Sequence, residues 1–141
     1  MREWGAQRGA TSPVLWLLPS EPKSVGVVRR RLTSLLAMIP QARLDDVLLA
    51  ASEVVTNAVL HGDGPVACRV WLGANTVRME VADDGGAVPL LRADHVDEDE
   101  GGRGLRIIDV LANRWGVTPM HPGPGKTVWF ELRRADSWPA A

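Results

Sequence analysis

Residues 24 to 61 carry two helical patterns in succession with no strand between them, separated only at Pro40. Ser24 can cap the first, which is expected to run to about Ile39, where Pro40 stops it. The second is expected from about Leu44 to His61, closed by Gly62-Asp63-Gly64-Pro65, the strongest breaker cluster in the chain. A doubly wound parallel sheet needs strand and helix to alternate, so two adjacent helices exclude it.

The flanking segments complete the order. Val14-Leu15-Trp16-Leu17-Leu18 is a short apolar run closed by Pro19 and reads as a strand. After the second helix, Val66 to Leu72 and Val77 to Ala82 alternate in polarity and join through Gly73-Ala74-Asn75-Thr76 as a hairpin. Residues 83 to 104 are glycine-rich and acidic without periodicity, a long loop of the kind that is usually functional or disordered. A third helix is expected from Leu105 to about Asn113. Strands follow from Trp115 to Met120 and, after the turn His121-Pro122-Gly123-Pro124-Gly125, from Thr127 to Leu132. The economical packing is an α+β two-layer sandwich: a mixed, mainly antiparallel sheet with helices on one face. One domain over residues 13–134 is expected, with tails at 1–12 and 135–141.

Bulk properties narrow the function classes. Hydrophobic residues make up 45% of the 141 and charged residues 23%, which suits a globular chain. The formal net charge of -1 leaves no strong field toward nucleic acid or an anionic membrane. Arg29-Arg30-Arg31 reads as a solvated helix face. No apolar run approaches the roughly 18–20 residues of a membrane span. The first residues lack a charged segment followed by an apolar one, so a cytoplasmic location is expected. Cys68, the sole cysteine, sits in an alternating apolar run and is expected to be a packed thiol.

On the second helix, Leu44, Val47, Leu48, Ala51, Val54, Val55 and Ala58 form the core stripe. Glu53, Asn57 and His61 stack along another stripe at i, i+4, i+8. Three such residues ordinarily face water, but Leu49, Ala50 and Leu60 share their side, as in the floor of a pocket. An asparagine carbonyl is a hard oxygen ligand acceptable to Mg²⁺, and Glu53 one turn earlier can take a proton from a hydroxyl. His61 can hydrogen-bond a phosphate or simply close the helix.

The loop adds two features. Asp83 and Asp84 follow a strand directly, where a carboxylate can accept a bond from an exocyclic amine and glycine lets a flat ring approach; the same residues also make an ordinary turn. Gly101-Gly102-Arg103-Gly104-Leu105 opens a helix, where free N–H groups and an arginine suit phosphate. Neither a P-loop lysine pattern nor a dinucleotide-type spacing after the first strand is present.

The order of these features resembles the histidine-kinase-like ATPase superfamily, the Bergerat ATP-binding fold. Ser52 to Gly62 looks like its N-box, Asp83-Asp84-Gly85-Gly86-Ala87 like its first glycine box, and Gly102-Arg103-Gly104-Leu105 like its second. Gly125-Lys126-Thr127-Val128-Trp129-Phe130-Glu131 is similar to its closing strand. The likeness spans roughly Val14 to Leu132 and is most marked toward the anti-sigma factor serine kinases and their stand-alone relatives. It implies ATP and Mg²⁺ as cofactors, with Asn57 on the metal and Glu53 as general base. Asp83 would accept the adenine amine, with Gly85 and the small Ala87 allowing close approach. Gly102, Arg103, Gly104 and Leu105 would cover the phosphates, Thr127 would support the base, and His61 would lie near phosphate. Implied partners are an anti-sigma factor antagonist and a sigma factor, with homodimers common among such relatives and no direct nucleic-acid contact. The chain shows no phosphoacceptor-histidine helix, membrane segment or transducer domain, which disfavours histidine kinase, gyrase and chaperone activities. Asp94, Asp97, Glu98, Asp99 and Glu100 would repel a triphosphate and are expected to face outward or meet a basic partner. A nucleotide-gated protein-binding module with negligible phosphotransfer is the alternative function.

Overall fold

The computed structural model describes residues 12–84, 100–119 and 125–134, with residues 100–104 described through their backbone alone. Strand β1 (Val14–Leu18) leads into helix α1 (Lys23–Leu35) and helix α2 (Gln41–His61). Strands β2 (Val66–Leu72) and β3 (Thr76–Asp83) form the hairpin. Helix α3 (Glu100–Leu111) precedes strands β4 (Arg114–Pro119) and β5 (Lys126–Arg133).

The sheet order is β1-β2-β3-β5-β4, and every pairing is antiparallel. The period of two in each strand then decides which side chains meet the helices. Val66, Cys68 and Val70 on β2, Val77, Met79 and Val81 on β3, and Val128, Phe130 and Leu132 on β5 all point one way. They form one core with Val28 and Leu32 of α1, the stripe of α2, and Leu105 and Ile108 of α3. Helix α2 lies centrally, packed on α1, α3 and strands β2, β3 and β5. The expected α+β sandwich with helices on one face is what the chain forms.

All seven residues of the expected α2 core stripe are buried. Several helix boundaries differ from expectation: α2 begins at Gln41 rather than about Leu44, and α3 ends at Leu111 rather than about Asn113. Ser24 does not cap α1: the helix starts at Lys23 after Pro22, and the Ser24 hydroxyl, inside the first turn, donates to the Pro19 carbonyl at 2.7 Å. Helix α1 stops at Leu35, short of Ile39. Helix α3 begins at Glu100 rather than Leu105, so the glycine cluster is helical. Each glycine costs about 1 kcal/mol relative to alanine, but extending a formed helix gains one hydrogen bond per residue. The end of α3 is secured by buried Leu105 and Ile108 and by Trp115 Nε1 donating to Asp109 Oδ1 at 2.8 Å.

The opposite sheet face carries its own polar cluster. Arg78, 1% exposed, donates to Glu131 Oε2 at 2.6 Å and Glu80 Oε2 at 3.0 Å. Its guanidinium lies 4.2 Å from the ring centroid of Trp129 and 6.0 Å from that of Trp71. Gly116 permits this, since a Cβ there would come within 2.9 Å of the Trp129 indole. Cys68 is buried, as expected of a packed thiol, and burial pushes its pKa up to about 12 against a smaller opposing effect of Arg31. Arg29, Arg30 and Arg31 are exposed; Arg29 also ties α1 to α2 by donating to Ser52 Oγ at 2.7 Å. No helix among the described residues is long and apolar enough to cross a membrane.

Candidate functional site

The end of α2 and the end of β3 are joined tightly. Gly62 closes α2, its N–H bonded to the Ala58 carbonyl at 3.0 Å. Asp84 N–H donates to the Asp63 carbonyl at 3.0 Å, which brings the turn after α2 beside the strand end. Gly62 lies so close to the Asp83 carboxyl that a Cβ there would sit 2.7 Å from Asp83 Cγ. Only glycine admits that approach, so this one position fixes the distance between helix and strand end.

Asn57 lies five residues before Gly62 on the same helix and is 3% exposed. Its Nδ2 has no hydrogen-bond partner. A buried amide left unsatisfied costs roughly 1–3 kcal/mol, so a donor of this kind is a candidate for a ligand, ion or water. The amide carries a donor at one end and a hard carbonyl oxygen at the other. Glu53, one turn back, is partly buried, and His61, one turn on, is exposed. The expected stripe therefore runs from partly buried through buried to open.

Asp83 terminates β3 with its side chain 1% exposed. Strand register sets it opposite Lys126. Lys126 Nζ donates to Asp83 Oδ1 at 3.0 Å and Oδ2 at 2.9 Å, and the lysine side chain is also 1% exposed. Sequence reasoning did not single out Lys126 as a site residue. Its position was nonetheless readable: Val128, Phe130 and Leu132 point to the helices, so residue 126 of the same strand must as well.

The same parity sends Thr127 to the far face of the sheet. There it lines a cavity of about 190 Å³ with Ala67, Arg69, Glu80 and Ala82. That volume is below the roughly 300–1,000 Å³ of ligand pockets. The structure thus brings Asp83 and Lys126 together, and leaves Thr127 on the other side. Leu105 is fully buried in the core. Gly102, Arg103 and Gly104 belong to the first turns of α3, where the leading N–H groups have no intrahelical acceptor and favour an anion. Gly85 and Ala87 lie outside the described residues.

No group of three His, Cys, Asp or Glu among the described residues could hold a metal ion. Mg²⁺ does not require one, since it commonly takes one or two protein oxygens and completes its shell with phosphate and water. Asn57 fits such a ligand by its two ends: the unpartnered Nδ2 can donate to a phosphate oxygen, and Oδ1 would be the oxygen offered to Mg²⁺.

The chain matches the family model of the histidine kinase-like ATPase domain over residues 18–132. No curated protein matches it. Its fold is similar to that of the RsbU and RsbW domains of Rv1364c from Mycobacterium tuberculosis, at a TM-score of 0.65 and 24% identity over 87% of this chain. It is also similar to the histidine kinase domain of the blue-light activated histidine kinase EL346 from Erythrobacter litoralis, at a TM-score of 0.53 and 20% identity over 82% of this chain. Both are longer: the match covers 32% of the first and 61% of the second.

Proposed function

The chain belongs to the histidine kinase-like ATPase family, and from that premise we propose that it is a Mg²⁺–ATP-dependent protein serine/threonine kinase of anti-sigma factor type. Its substrate on this reading is an anti-sigma factor antagonist, and modification of that antagonist frees the chain to hold a sigma factor. The observation that carries the reading is the buried Asn57 amide without a partner, one helical turn from partly buried Glu53 and on the helix whose end meets Asp83.

Each residue has a role of its own. Asn57 offers an amide oxygen to Mg²⁺ and an N–H to phosphate. Asp83 accepts the exocyclic amine of the base. The first turn of α3 presents free N–H donors to the phosphates, that of Gly102 among them, and Arg103 adds a guanidinium. Glu53 receives the proton of the acceptor hydroxyl on its carboxylate and holds that hydroxyl in line. The hydroxyl oxygen bonds to the γ-phosphorus as the bond to the bridging oxygen breaks and ADP leaves; Mg²⁺, held through Asn57, would supply charge neutralisation on the phosphate oxygens.

Incubation with γ-labelled ATP and candidate antagonist proteins tests this. Transfer to a serine or threonine is expected, with Glu53→Ala losing transfer while retaining nucleotide. Absence of transfer to any such partner counts against the kinase. The five carboxylates between Asp94 and Glu100 favour a second reading, in which bound nucleotide orders an acidic surface for a basic partner. Under that reading Glu53→Ala preserves partner binding and regulation.

A further inference from the structure

The base-amine acceptor of this site already has a resident cation. Lys126 Nζ contacts both carboxylate oxygens of Asp83, at 3.0 and 2.9 Å, and both side chains are 1% exposed. We propose that Lys126 is an internal competitor of the nucleotide base, so that the Asp83–Lys126 ion pair and base binding at Asp83 exclude one another. The inference rests on the reading of Asp83 as the base acceptor, and it names the element of the fold that sets nucleotide affinity there.

Three features fix the lysine in this role. Its backbone is locked into β5 opposite Asp83, with Val81 paired to Val128 and Met79 to Phe130 along the same ladder. Its stem enters the helix-facing side of the sheet because its strand neighbours at two-residue intervals are core residues. Gly62, at the end of α2, closes in on the Asp83 carboxyl, which limits how far that carboxyl can turn away.

The chemistry then favours the pair. An exocyclic amine is a neutral donor, whereas a buried ammonium forms charge-assisted bonds about twice as strong. A base reaching Asp83 must expel the ammonium, and a buried charge stripped of its partner is costly. Nucleotide therefore binds only to the fraction of molecules with the pair open, and the apparent affinity is reduced by that fraction. Lysine suits such a device, since its long flexible stem can move a point charge without disturbing the strand.

The test compares Mg²⁺–ATP binding by calorimetry in wild type, Lys126→Met and Lys126→Arg. Lys126→Met is expected to bind at least tenfold more tightly than wild type, and Lys126→Arg, which keeps the cation, no more tightly than wild type. Equal or weaker binding by Lys126→Met, with wild type binding ATP, overturns this inference alone. Binding by none of the three overturns the nucleotide reading and this inference with it. A second measurement needs no variant. The chain has two lysines, Lys126 and Lys23, and the Lys23 side chain is 76% exposed. In ¹⁵N-lysine-labelled protein the protected ammonium signal belongs to Lys126, and saturating Mg²⁺–ATP is expected to abolish or shift it. An unchanged signal at saturation overturns the proposal.

Discussion

Substituting Gly62 by alanine perturbs the joint between α2 and β3 without changing the identity of any proposed site residue. The added Cβ would lie 2.5 Å from the Ala58 carbonyl oxygen and 2.7 Å from Asp83 Cγ. Neither neighbour yields cheaply. The carbonyl belongs to helix backbone and accepts the N–H of residue 62 itself, while the carboxyl is pinned by Lys126. Relief requires the helix end and strand end to separate by a substantial fraction of an ångström. Overpacking of this kind costs about 1–3 kcal/mol. For a chain of this size that lowers Tm by roughly 3–12 °C. Gly26 in α1 is the internal control, because a Cβ there meets only the mobile tip of Arg30 at 3.4 Å. Gly26→Ala in a helix interior is expected to stabilise by about 0.4–1 kcal/mol. Thermal unfolding followed by circular dichroism reads both variants. Equal Tm for Gly62→Ala and wild type, or the same sign of change in both variants, refutes the argument that Gly62 sets the spacing.

Asn57→Leu removes a buried amide that has no partner, so the ligand-free protein should be at least as stable as wild type while Mg²⁺–ATP binding is lost; a fall in Tm of several degrees would assign Asn57 a structural bond instead. Arg78→Ala strands the Glu80 carboxylate and leaves Glu131 only the exposed Arg114 at 3.8 Å, and a loss of about 3–5 kcal/mol is expected in urea unfolding, whereas a loss below 1 kcal/mol would mean the cluster is solvated. Cys68 should resist alkylation in the folded protein at pH 8 and react once it is unfolded. Its folded pKa, about 12, lies above the 9.0 of a free thiol, so this contribution to stability is complete below pH 9 and is lost as pH rises toward 12; stability independent of pH across that window would contradict it.

Much of the architecture was legible because most elements carry one clear period. Strand β1 spans the apolar run before Pro19, β2 begins and ends where its alternation indicates, and the α2 stripe is buried at each of its expected positions. Helix starts were less legible. Ser24 has the chemistry of a cap but lies one residue inside a helix opened by Pro22, and the glycines before Leu105 hid the first turns of α3. In the site, Glu53 and Asn57 emerged from helical spacing, since both lie on one regular element. The partner of Asp83 did not, because pairing residue 83 with residue 126 requires the β3–β5 register, which joins strands far apart in sequence. Thr127 took its role from the resemblance of its strand, whereas alternation from Val128 directs it to the other face of the sheet. The Arg78–Glu80–Glu131 cluster was hidden for the same reason as Lys126: it is assembled across strands.

The central claim is that the buried amide of Asn57 and the carboxylate of Asp83 belong to one Mg²⁺–nucleotide site. Calorimetric titration of ATP into the wild-type protein, with and without Mg²⁺ and with Asn57→Leu alongside, tests it most directly. Binding that requires Mg²⁺ and disappears in a fully folded Asn57→Leu variant is the predicted result. Heat absent from the wild type under both conditions, or unchanged by the substitution, would contradict it.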